Sequence, residues 1–211
     1  ATWSSRGVGG GGALFSPAIN PANNNEYFVA CDLSALFHST DFGAQYDLVH
    51  FKELQGGHNS KVCYTATPGL LYCVHYANDR IVPVKSTDGG VTWNTLPGNP
   101  DESEETYSIW ADYSHPNRVV IAYYGQIYFS NNGGATFSLI HTALSNGSGC
   151  LIGGAFFEGE NIYLGTNDGV LVSFNGGSSW ATANISGLPS NERVFSFAAA
   201  KSGNTTRFFC L

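Results

Sequence analysis

The chain is a succession of short apolar runs separated by polar, turn-forming residues. ALFSPAI (13–19), EYFVACD (26–32) and ALFHS (35–39) make a first set, and KVCYTAT (61–67), LLYCVHY (70–76) and RIVPVKS (80–86) a second. TYSIWADY (106–113), RVVIAYY (118–124) and QIYFS (126–130) follow, then CLIGGAFF (150–157), NIYLGT (161–166) and GVLVS (169–173). β-Branched and aromatic residues dominate these runs, and Gly, Pro and Asn punctuate them, which predicts strands. NERVFSFAAAK (191–201) has the length of a helix, but in register it is the first strand of a fifth set, with TRFFCL (206–211) as the second.

The third run of each complete set ends in a related octet. STDFGAQY (39–46), STDGGVTW (86–93), SNNGGATF (130–137) and SFNGGSSW (173–180) share the order Ser, any residue, Asp or Asn, any residue, Gly, any residue, polar, aromatic. Their starts are 47, 44 and 43 residues apart. A period in the low forties with glycine-rich turns fits one four-stranded propeller blade per repeat. The predicted fold is all-β, a β-propeller of four-stranded antiparallel blades, with about four and a half blades over residues 1–211 and the fifth beginning near residue 192. Glycine supplies the positive φ that such a turn needs. Asp41, Asp88, Asn132 and Asn175 can bond nearby amides, and Asn stands in two copies, so the position does not need a carboxylate. The octets resemble Asp-boxes, the repeated turns of sialidase-type and related propellers, and are predicted to be architecture.

Antiparallel order places the octets, between third and fourth strands, on one face. The turns between second and third strands then lie on the other. These second turns hold Asp32, His75-Tyr76, Tyr123-Tyr124 and Thr166-Asn167-Asp168. Loops carry function more often than strands do, so this rim is where a ligand is expected.

The formal charge of −7 argues against nucleic acid and anionic membranes as partners. No apolar run is long enough to span a bilayer. The chain opens at ATWSS without a recognisable leader, and its Met-free, Gly/Asn/Ser-rich and Tyr-rich composition suits a secreted, mature or trimmed product. Five cysteines occur without CxxC spacing, so no metal site is expected. Cys63 and Cys73 flank Pro68 and, in a hairpin, would face each other as a disulfide; two buried thiols fit equally. Cys31, Cys150 and Cys210 read as small buried residues. Sequons stand at Asn146, Asn184 and Asn204. The acidic run 101–105 reads as a solvated loop between blades, with calcium as its one alternative. No cofactor is expected: the glycines of GVGGGG precede no helix, and no P-loop or dinucleotide motif exists.

The segment from Val8 to Asp41 resembles the amino-terminal segment of glycoside hydrolase family 74, the xyloglucanases and related endo-β-glucanases. Gly9 to Gly12, Asn20-Pro21 and Asp32 carry the likeness, which covers about the first 45 residues. The resemblance implies that Asp32 is the general base of an inverting hydrolysis, with the acid on a second propeller outside this chain. The family favours two glycines after that Asp, whereas Ser34 and Ala35 follow Leu33 here.

Around that carboxylate, Tyr76, Trp110 and Tyr124 can stack on sugar rings, His75 can act as acid or base, and Asp168 is a second acidic turn on the same rim. Each has a structural alternative, in the β core or in a turn. A sialidase fits less well, because it needs an arginine cluster and Arg6, Arg80, Arg118, Arg193 and Arg207 show no such motif. Two readings stand. One is part of a secreted glycoside-hydrolase-like propeller acting on or binding a polysaccharide. The other is a non-catalytic extracellular propeller that binds glycan or protein, or builds a surface assembly. In both, about four and a half blades leave the ring open, so the remainder of the propeller or another chain is expected to close it.

Overall fold

A computed structural model describes residues 12–77, 80–100, 105–144, 151–188 and 192–211. These residues form strands, turns and loops, with no helix among them. Blade 1 is β1 (Leu14–Asn20), β2 (Asn23–Cys31), β3 (Ala35–Ser39) and β4 (Asp47–Leu48). Blade 2 is β5 (Cys63–Tyr64), β6 (Leu71–Ala77), β7 (Arg80–Ser86) and β8 (Asn94–Thr95). Blade 3 is β9 (Ser108–Ala111), β10 (Val119–Tyr123), β11 (Gln126–Ser130) and β12 (Ser138–Thr142). Blade 4 is β13 (Ile152–Glu158), β14 (Asn161–Thr166), β15 (Gly169–Ser173) and β16 (Ala181–Thr182). A fifth, two-stranded sheet pairs β17 (Phe197–Ser202) with β18 (Thr205–Cys210). Every sheet is an antiparallel meander in chain order, as the repeat predicts.

Four apolar clusters hold successive sheets together, because side chains alternate between the two faces of each strand. β10 shows the rule: Val119 and Ile121 point back at blade 2 and cluster with Tyr72 and Val74. Val120 and Ala122 point forward and cluster with Ile162 and Leu164 of blade 4. Blade 1 meets blade 2 through Phe28, Ala30, Leu36, Cys73 and Val84. Blade 4 meets the fifth sheet through Val170, Val172, Phe197 and Phe208. A central strand buried on both faces cannot alternate polar with apolar, which is why β10 and β15 are buried at all their positions.

Each octet closes on its own serine. Ser86 Oγ donates to Asp88 Oδ1 at 2.8 Å and accepts from the Gly90 amide at 2.9 Å. The same pair of bonds recurs at Ser39, Ser130 and Ser173. A further bond, to the hydroxyl four residues on from the Asp or Asn, changes direction with the residue. Asp88 Oδ2 accepts from Thr92 Oγ1 at 2.6 Å, whereas Asn132 and Asn175 donate through Nδ2 to Thr136 and Ser179 at 2.8 Å. A hydroxyl serves either way, so Asp and Asn are interchangeable there. The hydroxyl and amides around Asp88 hold its carboxyl down at about 2.

The second octet glycine is a socket for the preceding blade. Gly90, Gly134 and Gly177 have φ of +95°, +81° and +92°. A Cβ added to them would stand 2.8 Å from Phe28, 2.7 Å from Leu96 and 2.1 Å from Phe129. The first octet is the worn one, and Phe42, with φ +60°, stands where the others have glycine.

Cys63 and Cys73 form no disulfide; both are free, buried thiols. The hairpin register pairs Cys63 with Tyr72, one residue away from the pairing a bridge would need. The two sulfurs therefore lie on opposite faces of blade 2, Cys63 toward blade 3 and Cys73 toward blade 1. Burial pushes both thiols above their ordinary values.

Two substitutions test the octet. Phe42→Gly is expected to stabilise the chain by about 1 kcal/mol by relieving a left-handed non-glycine residue. Gly177→Ala is expected to cost about 3 kcal/mol, from the same strain plus the collision with Phe129. Urea unfolding of the two variants beside the parent chain measures both.

Candidate functional site

The rim opposite the octets is built from the ends of second strands and the turns after them, which grip the links between blades; His75 and Tyr76, read from the sequence as turn residues, lie within β6 and pair with Val82 and Ile81. Gln55, in the link from blade 1 to blade 2, donates its amide to His75 Nδ1 at 2.8 Å and accepts from the Tyr76 amide. Tyr76 is half-buried, and its ring lies so close over Gly57 that an added Cβ there would stand 2.4 Å from it. Leu144 donates to Asp168 Oδ2 at 2.9 Å, and Leu151 donates to Asn167 Oδ1 at 2.9 Å. His141 Nε2 also bonds Asp168 Oδ2, at 2.8 Å. Asp168 is buried and its Oδ2 is shared by these two partners. His75 and Asp168 thus serve the links directly, and Tyr76 packs on one.

Asp32 occupies the same place in blade 1. Its Oδ1 accepts from the Ala13 amide at 2.9 Å. Ala13 precedes β1 as Leu151 precedes β13, and the pairs Leu14–Cys31 and Ile152–Thr166 put Asp32 and Asn167 at equivalent positions. Three features set Asp32 apart. It is exposed, its Oδ2 accepts no hydrogen bond from the described residues, and Gly12, with φ +92°, approaches so closely that an added Cβ would lie 2.7 Å from Oδ1. Ser34 follows with φ +66°, a conformation glycine adopts freely, at a place where the resemblance leads one to expect glycine.

The aromatic candidates separate. Tyr124 is 53% exposed, and its ring stands 6.2 Å from that of the half-buried Tyr107. Trp110 sits on the innermost strand of blade 3 and packs toward blade 4; Lys61 Nζ lies 4.3 Å over its ring, and its buried indole N–H has no hydrogen-bond partner among the described residues. It offers no open platform. Asp112 is buried on the octet face, held by Ser114 and His115, away from this rim.

The residue pattern did not single out Ser16 and His58. Ser16 has φ +49° within a bulge of β1 and donates its hydroxyl to the His58 carbonyl at 2.7 Å. The exposed His58 ring meets Phe15 edge-on at 4.3 Å, one ladder position from Leu14 and Cys31. Pro17 was the available signal: a proline in a paired strand implies a bulge or an unpaired edge. Gly9 to Gly11, residues 101–104, Cys150 and the Asn146 sequon lie outside the described residues.

No family model matches the sequence, and no curated protein matches it. Solved structures do. An ancestral enzyme of glycoside hydrolase family 74 superposes with a TM-score of 0.69 at 20% identity, covering 88% of this chain and 26% of that one. The family 74 xyloglucanase of Xanthomonas campestris gives 0.61 at 17% identity, covering 94% and 34%. YCF48 from Cyanidioschyzon merolae gives 0.60 at 16% identity, covering 94% and 63%. At these identities the likeness is one of fold: a β-propeller resembling the blades of family 74 enzymes. The chain spans about a quarter of the first structure's length.

His75 carries a pH test. Burial lowers its pKa below the ordinary histidine value. A depressed folded value means that its contribution is whole above the unfolded value, near 6.5, and is lost as pH falls from there through the folded value. Denaturant unfolding at several pH values between 8 and 5 is expected to show this loss. His75→Gln, which can still accept from Gln55, is expected to flatten it.

Proposed function

We propose that this chain is part of a secreted, glycoside-hydrolase-like propeller that acts on a polysaccharide, with Asp32 as general base. The observation that carries the proposal is the structural equivalence of Asp32 in blade 1 and Asn167 in blade 4. A neutral amide does the same structural work in blade 4, so the link needs an acceptor there and not a charge. The carboxylate of Asp32 is surplus to the link, exposed, and has no donor to Oδ2 among the described residues.

Inverting hydrolysis gives that oxygen a role. Asp32 Oδ2 takes a proton from a water as the water oxygen attacks the anomeric carbon. An acid on the far side of the glycosidic bond protonates the departing oxygen. The two carboxyl groups of such a pair stand roughly 6.5–9.5 Å apart to admit the water. The acid comes from outside these 211 residues, as the resemblance implies, and further blades complete the propeller. The Tyr107–Tyr124 pair and the exposed His58 ring flank the rim as contacts for the sugar chain.

The second reading, a propeller that binds glycan without cleaving it, draws on Ser34 and Ala35. A side chain stands at each of the two positions after Asp32 where the resemblance leads one to expect glycine. One experiment separates the readings. In the complete protein, Asp32→Asn is expected to keep the bond to Ala13, leave thermal unfolding unchanged, and lower turnover of xyloglucan and related β-glucans by about a thousandfold. Undiminished turnover removes Asp32 from the chemistry. No turnover by the parent protein, with glycan still bound, favours the second reading.

A further inference from the structure

The octets of blades 3 and 4 leave a hydroxyl hydrogen free where that of blade 2 does not. Asp88 takes the hydrogen of the Thr92 hydroxyl. Asn132 and Asn175 instead donate to the hydroxyls of Thr136 and Ser179. The direction is fixed, because Oδ1 of each Asn already accepts the backbone amide of that same Thr or Ser at 2.9 Å. A hydroxyl that accepts from the turn keeps its own hydrogen to donate elsewhere. Thr136 and Ser179 are both exposed, and both line one hollow of about 390 Å³.

This hollow lies between the outer strand of blade 3 and the fourth octet. At the two earlier boundaries, residues after the outer strand engage the next octet. Glu53, after blade 1, accepts from the Trp93 amide at 3.3 Å. Gly98, after blade 2, donates to the Gly134 carbonyl at 2.9 Å and packs on Ala135. Blade 3 has a five-residue outer strand where blades 1 and 2 have two residues. Among the described residues, no hydrogen bond runs from β12 or the residues after it to the fourth octet. Leu144 and Leu151, on either side of residues 145–150, are both held at the opposite rim, by Asp168 and Asn167. Trp93 is accordingly buried, whereas Trp180 is only partly so and lines the hollow with Ile140.

We propose that this hollow binds a neutral oligosaccharide, at a site separate from the Asp32 rim. The ring of Trp180, fixed by its indole N–H on the Gly177 carbonyl at 3.0 Å, supplies a flat apolar face for the C–H face of a sugar. Thr136 and Ser179 donate to sugar oxygens, and the exposed Asn131 amide can donate or accept. No charged side chain lines the hollow among the described residues, so it holds no counter-charge for an ionised ligand. A second hollow of about 480 Å³ shares Asn131 and Ser178 with the first and runs past Asn117 and Arg118. Its one guanidinium is matched by Glu160 at 2.7 Å. The two hollows in line suit a chain of sugars rather than a single ring. Both walls belong to blades 3 and 4, so the site is complete within this chain, and it does not depend on whether Asp32 cleaves anything.

Titration calorimetry tests this on the complete protein, carrying Asp32→Asn so that turnover does not intrude. The probes are cellohexaose, laminarihexaose, mannohexaose and maltohexaose. At least one is expected to bind with a Kd of about 1 mM or tighter. Asn132→Asp combined with Asn175→Asp gives both octets the bonding that Asp88 already has. It is expected to keep the parent's circular dichroism and to weaken this binding by about tenfold. Ser178→Arg, at an exposed position shared by the two hollows, leaves the octet bonds alone and is expected to abolish binding. It decides the matter should the double variant misfold. Binding of none of the four sugars overturns the proposal. So does binding that either variant leaves unchanged while folded, which places the sugar elsewhere on the protein.

Discussion

The hydrogen bond from each octet's second glycine to its serine hydroxyl sets the architecture. It draws the turn tight enough to hold a glycine in the left-handed region. That same glycine leaves the space into which Phe28, Leu96 or Phe129 of the preceding blade enters. Turn closure and blade stacking are thus one event. A side chain at this glycine would fail twice, by strain within the turn and by collision across the interface. The Asp or Asn of the octet only completes the turn. Its partner is a hydroxyl that can donate or accept, so the charge is free to vary from blade to blade.

This arrangement divides the molecule by face. The octet face is committed to closure: Asp88 and Asp112 both have their oxygens engaged by neighbouring groups. The opposite rim is committed to holding the links between blades, and its polar residues mostly do that work. His75 and Asp168 are engaged in this way, and Asn167 shows that an amide suffices. Asp32 differs in keeping a charge that its structural task does not require. Ser16, Ser34 and Gly12, three residues at positive φ, lie in the same blade. Strained backbone persists where the surrounding structure over-determines it, often beside functional groups.

Much of this was legible in the sequence because the repeat is local and regular. β3, β7, β11, β14 and β15 begin and end where their apolar runs do, since each is bounded by a turn residue. Innermost strands were less legible. KVCYTAT yields only Cys63 and Tyr64 as paired residues, because Ser60 bonds Val74 and holds the approach to the strand outside the ladder. The same one-residue question of register decided the cysteines. Spacing around Pro68 allowed a facing pair, but register is set by packing on two sides and not by the turn alone. The rim was legible as a location and not as a set of roles. A histidine and a tyrosine near the end of a strand give no sign in sequence that they clasp a link some twenty residues away. The bulge at Ser16 was announced only by Pro17.

The account holds that stability is carried by stacking between blades through the octets, so that blades with neighbours on both sides are the most secure. Site-resolved amide hydrogen exchange addresses this directly. The account predicts the slowest exchange in β10 and β15 and at the amides of Gly90, Gly134 and Gly177, with β17 and β18 exchanging faster by orders of magnitude. Octet glycine amides that exchange as fast as exposed loops, or a fifth sheet as protected as blade 3, would contradict it.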